Sequence, residues 1–309
     1  MNKVEFRKLF DKIYSKLPAA YHEGVLKTYA KNRELALKSG FQVFPQMFYS
    51  PLIDPGEIDH SLLDQKRDLP GIEINLDAAL ELVQELGSYA DEFDRWAPRD
   101  GSGRIEWSET FTTMDSAFLY TLIRHLKPKR YIEVGCGHSS RVSSAALRAN
   151  AEEGHEVDSS YIEPYPGPIL DGFDLHGELV VKRIEEMPIE YFKSLGAGDI
   201  LFIDTSHVIK AQNDVEWELL HIFPSLASGV SVHIHDIYTP YEQPQWWLLD
   251  LYLPRYSNEQ YALECLLSGG GSFETLLPIH LLGREHPEEL SQLITKGLDH
   301  GQSYWIRKC

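Results

Sequence analysis

The feature of this sequence that most constrains its fold is an apolar run that ends at a pair of glycines. Tyr131-Ile132-Glu133-Val134 precedes Gly135-Cys136-Gly137, and the helix-forming run Val142–Arg148 comes next. A strand, a glycine turn and a helix in this order are typical of α/β sheets. Further apolar runs follow at Val157–Ile162, Leu179–Val181, Ile200–Ile203 and Val230–Ile234. Helical segments separate several of them, so the pattern predicts a mainly parallel sheet covered on both faces.

The C-terminal part of the chain has a different pattern. Ser257-Asn258-Glu259-Gln260 resembles a capping box that opens a helix to about Leu267. Two short strands, Phe273–Leu277 and Ser303–Arg307, flank a predicted helix at about 287–296. This arrangement predicts an antiparallel strand at the edge of the sheet.

The N-terminal part is predicted to be mainly helical. Residues 3–38 carry apolar positions at spacings of three and four, broken at Pro18, which indicates two short helices. The proline-rich, aromatic residues 41–72 indicate an ordered loop, and a longer helix is expected from about Asn75 to Trp96. We therefore predict an α/β protein with a helical appendage in residues 1–105. Residues 106–309 are predicted to form a Rossmann-like, doubly wound sheet.

Composition excludes several classes of protein. The 309 residues include 29 Lys and Arg against 47 Asp and Glu, a net charge of −18, which disfavours a nucleic-acid partner. Three scattered cysteines form neither a disulfide framework nor a zinc cluster. The sequence shows neither a signal-peptide apolar region nor an apolar stretch of roughly 18 residues. We expect a cytoplasmic protein with no membrane partner.

An acidic residue after the second predicted strand indicates what the glycine turn binds. Glu163 ends the run Tyr161-Ile162-Glu163, where a carboxylate can accept hydrogen bonds from ribose hydroxyls. The third glycine of the dinucleotide fingerprint is absent, because position 140 is Ser140, so a nicotinamide dinucleotide is disfavoured. A nucleoside ligand is favoured, and a tight turn without any ligand is the alternative.

These residues resemble a known family. The segments EVGCG, GDILFIDTSH and GVSVHIHD are similar to those of class I S-adenosylmethionine-dependent methyltransferases, particularly bacterial small-molecule members, over about residues 111–309. The resemblance implies an enzyme that uses S-adenosyl-L-methionine. It also implies that Gly135, Cys136 and Gly137 hold the methionine and ribose portions, that Glu163 holds the ribose, and that Glu133 orients the loop. Arg183, Ile184 and Glu185 are the nearest adenine-binding candidates.

Two further strand ends carry polar side chains. Asp204 and His207 follow the fourth predicted strand, and His235 and Asp236 end the fifth. Because ligands of parallel sheets bind at the carboxyl ends of strands, these groups are expected to face the cofactor pocket, with Asp204 also contacting the cofactor. His207 or His235 is the predicted catalytic base, with Asp204 beside it, and hydrogen-bonded packing is the alternative for either histidine. His233, deeper in its strand, is expected to be structural.

The resemblance also raises the question of a metal ion. Some superfamily members bind a divalent cation through acids after strands four and five, and Asp204 and Asp236 match two of those positions. The third position is Ile237, which leaves His235 as a substitute ligand. The alternative is that the two carboxylates only stabilise charge near the sulfonium.

The acceptor is predicted to be a small molecule with a hydroxyl or an amine. The aromatic loop Tyr238–Trp247 follows the fifth strand and indicates either an acceptor-binding wall or ordinary packing. Two other functions stay open, a cyclase or lyase that releases methylthioadenosine and a non-catalytic cofactor-binding subunit. The N-terminal segment is expected to cover the active site as a lid, and a dimerisation arm in a homodimer is the alternative.

Overall fold

The structure is a computed structural model that describes residues 19–40, 54, 56–108, 110–249, 257–294 and 300–309. It divides into two compact units, Met1–Ile58 and Asp59–Cys309. The first unit contains helix α1 (Ala19–Lys38). The predicted helix before Pro18, and residues 41–53 and 55 of the predicted ordered loop, lie outside the described residues. The second unit begins well before residue 106, the predicted start of the sheet domain.

The second unit is built on a seven-stranded sheet. The strands are β1 (Arg130–Val134), β2 (Asp158–Ile162), β3 (Glu178–Val180), β4 (Ile200–Ile203), β5 (Ser231–Ile234), β6 (Phe273–Pro278) and β7 (Tyr304–Lys308). Their order is β3-β2-β1-β4-β5-β7-β6, and the pairs from β3 to β5 are parallel. β7 runs antiparallel between β5 and β6. The predicted fold class is confirmed.

Helices cover both faces of this sheet. They are α2 (Leu76–Leu86), α3 (Ala90–Trp96), α4 (Thr113–Leu126), α5 (His138–Glu152), α6 (Ile189–Lys193), α7 (Asp214–Trp217), α8 (Phe223–Ser225), α9 (Gln245–Leu249), α10 (Glu259–Ser268), α11 (Ile279–Glu285) and α12 (Pro287–Leu290). Side chains of β1 alternate between two buried cores, with Tyr131 in one and Ile132 in the other. None of the described helices combines the length and the apolar composition needed to cross a membrane.

Two predicted helices have different ends from those expected. The helix expected up to Trp96 is two helices, α2 and α3, joined by a 3₁₀ turn at Gly87–Tyr89. The capping box predicted at Ser257 is wrong, because α10 begins at Glu259 and its side chains serve other contacts. Asn258 accepts a hydrogen bond from the Ile209 N–H, and Gln260 accepts one from the Tyr238 N–H. These side chains thus bind neighbouring loops instead of the N–H groups at the start of their own helix.

The strand register brings three chain segments together. Val134 at the end of β1 is paired with Ile162 of β2 and with Ile203 of β4, and Ile203 is paired with Ile234 of β5. The residues that follow these strand ends therefore leave the sheet side by side.

One buried histidine gives the fold a pH-dependent stability. Burial, with Arg284 and His300 nearby, lowers the pKa of His280 to about 4, although its Nδ1 donates to the Gly301 carbonyl. The unfolded chain therefore binds this proton more readily between about pH 6.5 and 4, and stability falls as the pH falls through that window.

We expect wild-type protein to lose about 2 kcal/mol more than His280→Asn between about pH 7.5 and 5, because the variant has no ionising group there. Urea unfolding at the two pH values measures this difference. Equal losses in both proteins would show that His280 does not control acid sensitivity.

Candidate functional site at the strand ends

The glycine loop after β1 contacts the end of β4. Gly135 has a φ of +81°, a conformation that residues with a side chain rarely adopt. A Cβ atom at this residue would lie 1.7 Å from the carbonyl oxygen of Asp204. Gly137 has an extended backbone, with a φ of −169°, and no atom lies within 4 Å of its Cβ position. Gly135 is thus required by the protein itself, whereas Gly137 leaves space for a ligand.

Glu163 ties this loop to the segment after β2. One carboxylate oxygen accepts a hydrogen bond from the Cys136 N–H at 3.1 Å, and the other accepts one from the Tyr165 N–H at 2.7 Å. Burial raises the pKa of the Cys136 thiol well above its usual range, so the thiol stays neutral. Cys136 therefore contributes its backbone rather than a reactive sulfur.

Glu133 lies beneath the glycine loop and is fully buried. Its carboxylate accepts hydrogen bonds from four hydroxyl groups at 2.6–2.9 Å, those of Tyr131, Ser139, Ser140 and Ser143. Burial raises its pKa, and the hydroxyl hydrogen bonds oppose that rise. Three of the donors belong to the first turns of α5, so Glu133 fixes this helix against β1. Glu133 does not line a cavity at the strand ends, so its role is to hold the glycine loop in place.

Two cavities adjoin at the carboxyl ends of the strands. The smaller, of about 410 Å³, contains the predicted adenine-binding residues Arg183, Ile184 and Glu185 in its lining. The larger, of about 1020 Å³, is lined by the glycine loop, by His207, His235 and Asp236, and by residues 102–113. Gly135, Glu163 and Asp204 line both cavities. These volumes are of the size that small-molecule sites occupy.

His207 lies at the centre of three carboxyl groups. Its Nε2 is 3.2 Å from Asp204 Oδ1 and 3.2 Å from Asp236 Oδ2, and its Nδ1 is 2.9 Å from Glu259 Oε2. Burial alone lowers the pKa of His207, but its hydrogen bonds to Asp204 and Glu259 raise it well above the usual value. With a proton on each nitrogen, this ring has no lone pair to accept another proton.

Asp204 is an anion at neutral pH. Burial tends to raise its pKa, but the neighbouring His235 and the hydrogen bond from His207 lower it to about 2. The cleft therefore presents negative charge where the ends of β1 and β4 meet.

The two histidines of β5 lie in different surroundings. The Nε2 atom of His233 is 2.8 Å from Ser303 Oγ, its ring is stacked on Phe202, and burial lowers its pKa well below the usual value. His235 lines the larger cavity and packs against Phe111 with ring centroids 5.0 Å apart. Its Nδ1 has no hydrogen-bond partner among the described residues. Burial lowers the pKa of His235, but Asp204 and Asp236 raise it overall.

The aromatic loop after β5 is divided between the cleft and the core. Trp246 and Trp247 line the larger cavity, and Trp246 is 57 % exposed. The Tyr241 hydroxyl instead donates to Glu285, and Tyr238 packs against His280. Part of this loop thus packs in the interior and part lines the cavity, and the binding of an acceptor by its tryptophans stays a prediction.

Residues 132–237 match a family model described as a methyltransferase domain. This match confirms the predicted resemblance to methyltransferases, and with it the prediction of an enzyme.

Other proteins resemble the chain more distantly. An uncharacterised protein of Archaeoglobus fulgidus is 26 % identical over 162 residues, 49 % of this chain and 72 % of that protein. The O-methyltransferase TomG from Streptomyces achromogenes is 10 % identical, with a TM-score of 0.38 over 77 % of this chain and 91 % of that one. An O-methyltransferase from Bacillus cereus is 12 % identical, with a TM-score of 0.38 over 75 % and 90 % of the two chains.

Asp204, His207 and Asp236 are chemically suited to a divalent cation. One ligand atom from each lies within 4.8 Å of the others, and mixed carboxylate and imidazole sets suit first-row transition metals. His207 lies between the two carboxylates, in the place that the sequence analysis gave to His235. A cation there would take the position of the Nε2 proton, and metal binding stays a prediction.

Several residues of this candidate site were not predicted from the sequence. Glu259 is 52 residues from His207 in the sequence, and the only local pattern that contains it, the predicted capping box, indicates no contact with the site. Arg104, Thr110 and Phe111 line the larger cavity, although the predicted domain boundary ran through their segment. The serines that bind Glu133 did have a signal, because the start of α5 reads HSSRVSS and serine is unusual in a helix interior.

Proposed function

We propose that this protein transfers the methyl group of S-adenosylmethionine to a hydroxyl or an amine of a small molecule held in the larger cavity. The observation that carries the proposal is the pair of adjoining cavities that share Gly135, Glu163 and Asp204. A nucleoside in one cavity and an acceptor in the other would meet beside Asp204. The size of the second cavity favours a separate acceptor over an intramolecular reaction of the cofactor.

The smaller cavity has the features of a nucleoside site. Glu163 lines both cavities, and its carboxylate would accept hydrogen bonds from the ribose hydroxyls of a nucleoside in the smaller one. The open space at Gly137 belongs to the larger cavity, where it would let the rest of the cofactor approach the backbone. S-adenosylmethionine, when bound, supplies a methyl group that is already activated by its sulfonium. The negative charge of Asp204 favours a sulfonium at the junction of the cavities.

The remaining task of the protein is to orient the acceptor and to remove its proton. We assign proton acceptance to His235 rather than His207, because the His235 Nδ1 is buried without a partner among the described residues and its Nε2 lies 3.8 Å from Asp236, whereas both nitrogens of His207 lie within 3.2 Å of carboxyl groups. As the acceptor oxygen or nitrogen bonds to the methyl carbon, its proton passes to His235 and the carbon–sulfur bond breaks. Asp204, His207 and Asp236 would hold a divalent cation that polarises the acceptor, if one binds.

The co-product of the reaction tests this proposal. We expect S-adenosylhomocysteine and a methylated acceptor when the protein is incubated with S-adenosylmethionine and a panel of hydroxyl and amine metabolites, followed by mass spectrometry. Methylthioadenosine formed without any acceptor would instead indicate a lyase or cyclase. Cofactor binding without any product across the panel would favour a regulatory subunit.

Glu163→Ala is expected to weaken binding of S-adenosylmethionine by about 100-fold or more, because two charge-assisted hydrogen bonds to the ribose are lost. The loop contact with the Cys136 N–H is lost as well. Titration calorimetry measures the affinity. Glu190→Ala serves as the control, because Glu190 is exposed and lines neither cavity. Unchanged affinity in Glu163→Ala would remove Glu163 from the nucleoside site.

A further inference from the structure

We propose that Glu259 is a positioning residue of this methyltransferase, which fixes the His207 ring so that Nε2 faces Asp204 and Asp236. The catalytic consequence rests on the proposed function, whereas the orientation of the ring does not. Glu259 is remote in sequence from the strand ends, and it lies outside the segment that matches the methyltransferase family.

The backbone contacts place Glu259 beside His207. The carbonyl oxygen of His207 accepts hydrogen bonds from the N–H groups of Asn258 and Glu259, at 3.0 and 3.2 Å. The Asn258 side chain accepts a further hydrogen bond from the Ile209 N–H at 2.6 Å. Asn258 and the first residue of α10 therefore form hydrogen bonds to both His207 and Ile209 in the loop after β4. This contact fixes a loop in which His207 has a left-handed φ of 59°.

The side-chain contact then sets the direction of the ring. Glu259 Oε2 is 2.9 Å from His207 Nδ1, a distance typical of a charge-assisted hydrogen bond. With Nδ1 donating to Glu259, the opposite nitrogen Nε2 lies 3.2 Å from each of the carboxylates of Asp204 and Asp236. The same orientation serves whether Nε2 carries a proton or binds a cation, as carboxylate–histidine pairs do at metal sites.

The burial of Glu259 shows that this contact is its main interaction. The residue is 2 % exposed, and among the described residues His207 is the only hydrogen-bond partner of its carboxylate. A buried carboxylate is costly unless it is hydrogen-bonded or paired. An apolar residue could have packed here without that cost, so the carboxylate is best explained by the ring that it holds.

The test compares Glu259→Met, which keeps the side-chain volume but removes the hydrogen-bond acceptor, with Glu259→Gln, which keeps an acceptor without the charge. Long-range ¹H–¹⁵N spectra of protein with labelled histidine report which nitrogen of His207 carries a proton. We expect a proton on Nδ1 in the wild type and its loss in Glu259→Met. This readout requires no acceptor and no turnover.

Kinetics supply the second measurement. We expect kcat to fall about 10- to 100-fold in Glu259→Met and less in Glu259→Gln, while the affinity for S-adenosylmethionine stays within about twofold. Glu264→Gln is the control, because Glu264 lies on the same helix but pairs with Arg67. If Glu259→Met does not fold, Glu259→Leu, which also removes the acceptor, takes its place in the same spectra and rates.

The two measurements separate the possible failures. A proton retained on Nδ1 in Glu259→Met, or a kcat within about twofold of wild type in both variants of an active enzyme, would overturn the positioning role. The spectra could instead show that Nδ1 of His207 loses its proton in Glu259→Met while no variant, the wild type included, transfers a methyl group. That result would contradict the proposed function and would leave the role of Glu259 in orienting His207 intact.

Discussion

Gly135→Ala is expected to destabilise the protein by about 3 to 5 kcal/mol, which is a large part of the stability of an ordinary domain. The added Cβ would lie 1.7 Å from the Asp204 carbonyl, and a backbone atom cannot move aside as a flexible side chain can. The left-handed φ of +81° adds a further conformational cost for alanine. Thermal and urea unfolding, together with the yield of soluble protein, measure the effect.

Gly137→Ala is the matched control, because its added Cβ meets no protein atom within 4 Å. We expect this variant to fold with wild-type stability to within about 1 kcal/mol, while its affinity for S-adenosylmethionine falls about 10-fold or more as the methyl group fills the ligand space. Wild-type stability in Gly135→Ala would contradict the close contact between the loops after β1 and β4. Wild-type cofactor affinity in Gly137→Ala would place the ligand elsewhere.

The sheet could be predicted from the sequence because its signals are local. β1, β4 and β5 are apolar runs of the length that a buried strand needs, and each ends at a glycine or a polar residue. The insertion of β7 between β5 and β6 has no such signal, since pairing partners far apart in sequence are chosen by tertiary packing. The same holds for α10, where Asn258 and Gln260 bind neighbouring loops instead of capping their own helix.

Only those site residues that directly follow a strand could be predicted from the sequence. Asp204, His207, His235 and Asp236 do converge, because parallel strands end at one edge of the sheet. Which histidine could accept a proton was not predictable, because the answer depends on Glu259, whose contact with His207 is formed by a distant helix. The structure holds His207 between carboxyl groups, and which of the two histidines acts as the base stays a prediction.

His235→Asn is expected to lower kcat by about 100- to 10,000-fold, the usual contribution of a general base. The affinity for S-adenosylmethionine should stay within about twofold, because His235 lines the larger cavity, where we propose that the acceptor binds, and not the smaller cavity. Steady-state rates with an acceptor that the wild-type enzyme methylates measure kcat. Calorimetry with S-adenosylmethionine measures the affinity on the same preparation.

His207→Gln provides the comparison, because the glutamine amide can place an N–H donor near the position of His207 Nε2, between Asp204 and Asp236. A residue that only organises these carboxylates should tolerate this change with a loss of about 10-fold or less, whereas a proton acceptor should not. A larger loss in His207→Gln than in His235→Asn would reverse the assignment made from the hydrogen bonds. Full activity in both variants would remove histidine from proton transfer and leave the carboxylates, or a cation bound to them, to activate the acceptor.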